Sequence, residues 1–249
     1  MEKQYFKVGE INRYKELFLA IDIGNTKTKF ALFLGDKIVF KDNIPTDIAS
    51  SLFEKIKERP SEICIASVVP KVNPEILDRA KTLGITPRFV SYDKIKTSIK
   101  NPEKIGEDRI ANVLGALRQY RPPIIIVDLG TATVFDCINK DSIYIGGAIL
   151  PGIEISISSL FKRCALLSPV EIKEPKSLIG DDTKSAIQSG IFYGAIEQID
   201  GMTRRIKRRI KGAMIIGTGG IDFFLPHLKG IDLIDPDLSL KGIRQYALY

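Results

Sequence analysis

An apolar run at residues 124–129 ends abruptly in polar positions. Asp128 lies near the end of the run, and Gly130, Thr131 and Thr133 follow it. The β-branched side chains and the length of the run predict a buried β-strand that is too short to cross a membrane. Glycine and threonine at a strand end offer main-chain N–H groups and hydroxyl donors, so this turn is typical of a phosphate-binding site.

The same pattern occurs earlier in the chain, where an apolar run at residues 17–21 leads to Asp22 and Gly24. Each turn is followed by two further apolar segments, and the two copies predict two similar halves that face each other across a cleft. After the first copy, periodicity predicts helices at 49–58 and 72–83 and strands at 63–69 and 88–90. This order predicts a mixed sheet with helices on its faces.

A connector at residues 97–109 precedes a helix predicted at residues 108–120. Its Asn-Pro pair favours an extended or turned backbone, and Gly106 is expected to adopt a special dihedral. Asp108 stands at the helix start, where an N-cap is the commoner use of an aspartate. From the local pattern, capping and catalysis both remain open for Asp108.

Residues 146–152 hold three glycines and a proline. This composition does not fit a regular strand interior, and it predicts close approach by another chain segment or a ligand. Further elements are a helix at 153–167, a loop at 169–180, a long amphipathic helix after Thr183, a strand at 213–216 and a glycine-rich turn at 217–220.

Basic residues cluster at positions 204–211, at the end of the long helix. Ile206 and Ile210 continue its apolar stripe, so the charges are expected on the solvent face rather than on a nucleic acid. The net charge of +7 favours anionic small molecules without requiring nucleic acid.

The three cysteines and the single histidine exclude several kinds of chemistry. Cys64, Cys137 and Cys164 are isolated, which fits a reduced cytoplasm and gives no metal-ligand spacing. His227 has no partner at a telling spacing, which argues against triad hydrolysis and histidine-based zinc chemistry. Residues 1–16 are polar, so we expect a short extension and a cytoplasmic protein with no membrane segment.

Five ordered motifs resemble those of type III pantothenate kinases. They are Asp22-Ile23-Gly24-Asn25-Thr26 with Lys29, Gly106-Glu107-Asp108-Arg109, Asp128-Leu129-Gly130-Thr131-Ala132-Thr133, Gly146-Gly147 with Pro151-Gly152, and Thr218-Gly219-Gly220. The resemblance implies an α/β fold of two duplicated ribonuclease-H-like domains, as in the acetate kinase, sugar kinase, Hsp70 and actin superfamily. The domains would span residues 17–120 and 121–249. It also implies a homodimer that phosphorylates pantothenate with ATP, the first step of coenzyme A synthesis.

The resemblance also implies roles for individual positions. ATP with Mg²⁺ would bind at Asp22, Ile23, Gly24, Asn25, Thr26, Lys27, Thr28, Lys29 and Thr131. Pantothenate would bind at Gly106, Glu107, Asp108, Arg109 and Thr183, with Thr183 supplied across the dimer. Asp108 would be the general base, and Arg109 would suit a carboxylate through its forked donors. Asp128 would bind a monovalent cation, K⁺ or NH₄⁺.

Two positions depart from the family pattern. Ile99 stands where the family commonly has a tyrosine that contacts pantothenate, and Val134 replaces a threonine of the second phosphate turn. The first departure leaves open a related kinase with a different small acceptor. A non-catalytic transcriptional accessory factor is the remaining alternative, for which the basic helix would be the supporting feature.

Overall fold

The computed structural model describes residues 17–220 and 224–249, so the extension expected at residues 1–16 lies outside the described residues. Ten strands form two five-stranded sheets. The first sheet contains β1 (Leu17–Ile23), β2 (Lys27–Leu34), β3 (Lys37–Pro45), β4 (Glu62–Ser67) and β5 (Arg88–Phe89). The second contains β6 (Ile124–Leu129), β7 (Ala132–Ile138), β8 (Tyr144–Pro151), β9 (Met214–Gly219) and β10 (Leu233–Ile234).

The two sheets have the same topology. The strand order is β3-β2-β1-β4-β5 in the first sheet and β8-β7-β6-β9-β10 in the second. In each, the first three strands are antiparallel and the last two run parallel to the central strand. This repetition confirms the predicted mixed sheets and the two similar halves.

Six α-helices accompany the sheets among the described residues: α1 (Leu52–Lys55), α2 (Asn73–Thr82), α3 (Glu107–Gln119), α4 (Ile153–Arg163), α5 (Thr183–Arg209) and α6 (Leu238–Ala247). The helix expected at residues 49–58 is wrong in its extent, because a 3₁₀ turn at Thr46–Ser51 precedes the single α-helical turn of α1. The chain leaves the helix at Ile56, in an extended conformation. The Ser61 N–H then donates a hydrogen bond to the carbonyl of Leu17, the first residue of β1.

Strand β8 runs through the glycine-rich segment, but it is not regular there, as expected: its register with β7 shifts beside Gly146, which has a positive φ of 99°. At the next residue, Gly147, a Cβ would overlap the Phe135 carbonyl of β7. The expected close approach by another chain segment is therefore confirmed. The absence of a Cβ at Gly147 lets β7 and β8 pair at this point.

The long helix α5 has the predicted apolar stripe and solvent-facing charges. Asp182 caps its N-terminus by accepting a 2.6 Å hydrogen bond from the Ser185 N–H. Ile199 is buried in the core of the second half, and Ile206 packs against that core. The basic residues between positions 204 and 211 are exposed, as predicted, whereas Ile206 and Ile210 are half-buried.

The C-terminal helix α6 packs on the first half of the molecule, against α3, β1 and β4. Glycines allow α3 and α6 to touch through their backbones: a Cβ on Gly242 would overlap the Ala111 carbonyl, and one on Gly115 would overlap the Leu238 carbonyl. The chain therefore returns to the first half after the domain boundary predicted at residue 120. That boundary stays a prediction. Within residues 17–220 and 224–249, no helix has the length and hydropathy of a membrane span.

Candidate active site

The two repeated strands place Asp22 and Asp128 at corresponding positions. Asp22 of β1 pairs across the sheet with Lys29 of β2, and Asp128 of β6 pairs with Val134 of β7. Lys29 and Val134 are thus equivalent in the two halves, and only the first half places a cation there. Burial raises the pKa of both aspartates, while the Lys29 ammonium lowers it.

The turns that follow these strands meet each other. The Thr26 and Thr131 hydroxyls lie 3.0 Å apart, which joins the two predicted phosphate turns by a hydrogen bond. Each turn is closed by a 3.1 Å hydrogen bond from its glycine N–H, from Gly24 to Lys27 and from Gly130 to Ala132. The pairing brings the two expected phosphate-binding segments into one site.

The expected nucleotide positions differ in exposure. Asn25, Thr26 and Lys27 are exposed at the tip of the first turn. Ile23 is buried in the core of the first sheet, and the buried Thr28 hydroxyl lies 3.1 Å from that of Thr46. Any contact of these two residues with a nucleotide would therefore come from the main chain.

Asp108 lies in the first turn of α3, at its second residue. The N-cap is Gly106, and no side chain caps this helix, so the N-cap role expected for Asp108 is wrong. Gly106 has an ordinary φ of −58°, so the special dihedral expected there is wrong as well. The glycine provides space instead, because a Cβ on Gly106 would lie 2.5 Å from Oδ1 of Asp108.

The surroundings of Asp108 favour a proton acceptor that works near neutral pH. Burial raises its pKa to about 7, and the charges of Asp22 and then Asp128 act in the same direction. The Arg109 backbone N–H donates a 2.7 Å hydrogen bond to Oδ1 and partly offsets these effects. Asp108, Asp22 and Asp128 therefore form one electrostatically coupled group, although they are far apart in sequence.

Two polar side chains missed by sequence reasoning hold the aspartates. The Ser239 hydroxyl, on α6, donates a 2.6 Å hydrogen bond to Oδ2 of Asp22. The Asn112 amide, on α3, donates a 2.8 Å hydrogen bond to Oδ2 of Asp128. Asn112 could have been noticed, because it is the one amide in an apolar helical stretch and lies one turn after Asp108. Ser239 carries no comparable signal.

Arg109 extends from α3 to a second buried acid that sequence reasoning also missed. Its Nε and Nη2 donate to Oδ1 of Asp136 at 2.9 Å and 2.7 Å. The Tyr144 hydroxyl donates to the same oxygen at 2.6 Å. The signal was an acid within the apolar sequence of β7, since a buried charge requires a partner.

The other residues considered for pantothenate binding have different surroundings. Glu107 accepts a 2.7 Å hydrogen bond from the Ser67 N–H at the end of β4. Ile99 is half-buried and packs against the core that contains Tyr144. Thr183 is exposed at the start of α5, and no contact joins it to the aspartates among the described residues.

The glycine-rich turn after β9 borders the same strand ends. Thr218 is the β9 neighbour of Asp128, and Gly219 adopts a positive φ of 101°. Strand β9 extends three residues beyond the predicted strand at 213–216, so much of the expected turn is strand. No group of three or more acidic, histidine or cysteine side chains in the described part of the chain could hold a metal ion. The donor set fits Mg²⁺ that is bound mainly through substrate phosphates.

Comparisons with known proteins show the family and the fold of this chain. Residues 18–205 match the family model of type III pantothenate kinase. A type III pantothenate kinase of Finegoldia magna is 39% identical, over 92% of this chain and 96% of its own. A Baf family protein from Campylobacter jejuni is 21% identical, with a TM-score of 0.60 over 92% of this chain and 97% of its own.

An archaeal actin homologue superposes with a TM-score of 0.52 at 14% identity, covering 93% of this chain and 99% of its own. At such low identity the two structural likenesses concern the fold alone, and they confirm the actin-like architecture. The family match and the matched relative each cover most of the chain, residues 18–205 in the first case and 92% of the chain in the second. The chain belongs to the type III pantothenate kinase family.

Proposed function

We propose that this protein transfers the γ-phosphoryl group of ATP to the primary hydroxyl of pantothenate and forms 4′-phosphopantothenate, the first step of coenzyme A synthesis. The observation that carries the proposal is the coupled group of Asp108, Asp22 and Asp128 beside the joined turns of Thr26 and Thr131. Family membership supplies the acceptor.

Asp108 acts as the general base. A primary hydroxyl is a weak nucleophile, so a carboxylate within hydrogen-bond reach accepts its proton as the oxygen attacks the γ-phosphorus in line. A carboxyl group with a pKa of about 7 suits this role, because it is largely ionised at slightly alkaline pH and still binds a proton well. No covalent enzyme intermediate is required.

The first turn binds the nucleotide phosphates. Lys29 neutralises negative charge beside Asp22, and the exposed Asn25, Thr26 and Lys27 offer donors at the tip. Thr131 adds a hydroxyl from the second turn. Mg²⁺ bound with ATP would neutralise charge on the transferring group, and the Asp22 carboxylate would hold the ion or one of its water ligands.

Asp128 holds a monovalent cation, K⁺ or NH₄⁺. Its side chain accepts from Asn112, whose own Oδ1 is buried without a hydrogen-bond partner among the described residues. Carboxylate and amide oxygens are the ligands that such hard cations prefer, and an unpartnered buried oxygen is costly unless something is bound there.

Pantothenate binds along the start of α3. Gly106 and Glu107 border the base, and Arg109 binds the substrate carboxylate. Ile99 provides an apolar wall where the family tyrosine would donate a hydrogen bond. Binding of the acceptor carboxylate therefore depends more strongly on Arg109 in this chain.

The functional unit is a homodimer. Large apolar side chains are exposed on three successive segments of the second half, β8, α4 and the loop before α5: Ile145, Ile149, Ile155, Leu166, Leu178 and Ile179. We infer that these segments form the interface, because an exposed apolar surface marks a site of protein association. Thr183 follows this loop, which suits its expected role in the partner's pantothenate site. The cytoplasmic location stays a prediction from the sequence.

A coupled assay of ADP release with pantothenate tests the proposal, with K⁺, NH₄⁺ or Na⁺ present. We expect pantothenate-dependent turnover in the wild type and a loss of about 10²- to 10⁴-fold in kcat for Asp108→Asn. Glu103→Gln, an exposed acid in the same connector, is the matched control and keeps wild-type turnover.

Absence of pantothenate-dependent turnover in the wild type would overturn the proposed substrate, and turnover with another hydroxylated acid would identify the related kinase instead. Full activity of Asp108→Asn would remove Asp108 as the base.

A further inference from the structure

We propose that Asp136 is a positioning residue that holds the Arg109 guanidinium in the orientation that receives the carboxylate of the acceptor. The inference rests on the proposed function, because it concerns how the same site recognises its substrate. It assigns a task to a buried acid that takes no part in phosphoryl transfer.

The contacts define one orientation of the arginine. Nε and Nη2 both donate to Oδ1 of Asp136, at 2.9 Å and 2.7 Å. Because the guanidinium is planar, two hydrogen bonds from neighbouring nitrogens fix both its position and its rotation. Both N–H groups of Nη1 and the second N–H of Nη2 are left for a ligand.

The Arg109 side chain is 19% exposed, whereas that of Asp136 is fully buried. The salt bridge thus has one end in the protein interior and the other at the site. A substrate carboxylate can approach the guanidinium but not its counter-charge. This arrangement favours a negatively charged ligand, because the remaining donors point away from the buried acid.

The Asp136 carboxylate is itself held rigidly. The Tyr144 hydroxyl donates to Oδ1 at 2.6 Å, and the Tyr144 ring lies 5.8 Å from the Arg109 guanidinium carbon. Asp136 on β7 and Tyr144 on the neighbouring strand β8 are both buried. Three donors therefore converge on one oxygen, which fixes the carboxylate and, through it, the arginine.

The second oxygen of Asp136 supports a role beyond packing. Oδ2 is buried and finds no hydrogen-bond partner in the described part of the protein. An unpartnered buried carboxylate oxygen destabilises a fold, and an apolar side chain would fill this strand position better. Burial raises the pKa of Asp136 whereas the Arg109 guanidinium lowers it, so a carboxylate at this position is explained if Arg109 must remain in place while it binds another anion.

The consequence is a site that selects carboxylated acceptors. Ile99 cannot donate a hydrogen bond to the substrate, so the oriented guanidinium is the principal recognition element for the acid group. Removal of Asp136 should weaken binding of the acid without impairing the transfer step, because the arginine contacts a part of the substrate that does not react.

Steady-state kinetics of Asp136→Asn test the inference, with pantothenate and with its neutral primary amide as acceptors. We expect the pantothenate KM to rise roughly 10- to 100-fold, since a charge-assisted pair is weakened. The values of kcat and of the ATP KM should stay within about threefold. For the neutral amide, wild type and variant should have similar KM values. Tyr144→Phe keeps the charge pair and should raise the pantothenate KM by a smaller factor.

The matched control is Asp235→Asn, which removes another buried acid, paired with Lys241 at 2.8 Å. It should lower the melting temperature without changing the pantothenate KM. Equal increases of KM for pantothenate and its amide in Asp136→Asn, or an unchanged pantothenate KM, would overturn the inference while the proposed function stands. A wild type without turnover of pantothenate would overturn both.

Discussion

The Asn112 amide donates a 2.8 Å hydrogen bond to Oδ2 of Asp128, and it joins helix α3 to the central strand of the second sheet. Asn112 is four residues after Asp108, so one face of α3 carries both the proposed base and the support of the proposed cation ligand. Asn112→Ala should therefore affect the cation site as well as the fold.

We expect Asn112→Ala to lower the free energy of unfolding by about 1–3 kcal/mol, because a buried hydrogen bond to a carboxylate is lost. The K⁺ concentration for half-maximal activation should rise, since one oxygen ligand and the partner of Asp128 are removed. Denaturant unfolding and K⁺ titration of the initial rate measure the two effects. An unchanged K⁺ requirement in a destabilised protein would contradict the proposed role in the cation site.

The Thr26–Thr131 contact predicts a specific nucleotide defect. Thr131→Val keeps the side-chain shape but removes the hydroxyl that lies 3.0 Å from that of Thr26. The ATP KM should rise about fivefold to tenfold, in line with one lost hydrogen bond to a charged group, while the pantothenate KM is unchanged. Thr82→Val, at the exposed end of α2, is the control. Equal ATP KM values in both variants would argue against phosphate binding by Thr131.

The pKa of Asp108 predicts the pH dependence of the reaction. The base must be ionised, so kcat/KM for pantothenate should fall below an apparent pKa of about 7 and approach a tenfold loss per pH unit. Initial rates between about pH 5.5 and 9 measure this limb, with the coupling enzymes shown not to limit the rate. A profile that stays flat down to about pH 5.5 would contradict Asp108 as the titrating base.

The same pKa predicts how Asp108→Asn changes stability. In the unfolded chain the pKa of Asp108 is near its ordinary value of 3.8, whereas in the folded protein the carboxyl group keeps its proton to about pH 7. Its contribution to wild-type stability therefore decreases as pH rises between these values and is constant above them.

Asp108→Asn cannot ionise at this position, so it does not lose stability in this way. Its stability advantage over the wild type should therefore grow from pH 4 to 7 and then level off. We expect an advantage on the order of 1–2 kcal/mol at pH 8, after allowance for solvent exposure of this partly buried group. Thermal unfolding of the nucleotide-free proteins across this pH range measures it. A difference that does not vary with pH would contradict the raised pKa.

The exposed apolar side chains of the second half predict the oligomeric state. Ile149→Glu should convert the dimer into a monomer and reduce pantothenate turnover, because Thr183 then no longer reaches a partner's site. Light scattering and kinetics measure the two outcomes. Ile48→Glu alters an isoleucine that is 50% exposed on the first half, compared with 62% for Ile149, and should remain dimeric. A wild type that is monomeric and fully active would contradict both the interface and the role of Thr183.

The sequence predicted the repeated elements because their signals are local. Apolar strands that end in Asp22 and Asp128, the helix that carries Asp108 and the stripe of α5 all follow from periodicity and turn chemistry. The prediction was incomplete where a longer-range contact decided the conformation. In the strand interior at Gly147, the close approach of the Phe135 carbonyl requires a glycine that composition alone had assigned to irregular backbone.

By itself, the sequence determined the duplicated halves, the two glycine turns after β1 and β6, and the position of Asp108 at the start of α3. Only the tertiary structure decided which groups support them: Asn112 on Asp128, Ser239 on Asp22, and Asp136 on Arg109. The reason is physical. A turn or an amphipathic helix is encoded by neighbouring residues, whereas the partner of a buried charge is chosen by how distant elements pack. Ser239 reaches Asp22 because glycine contacts between α3 and α6 bring the end of the chain onto the first half.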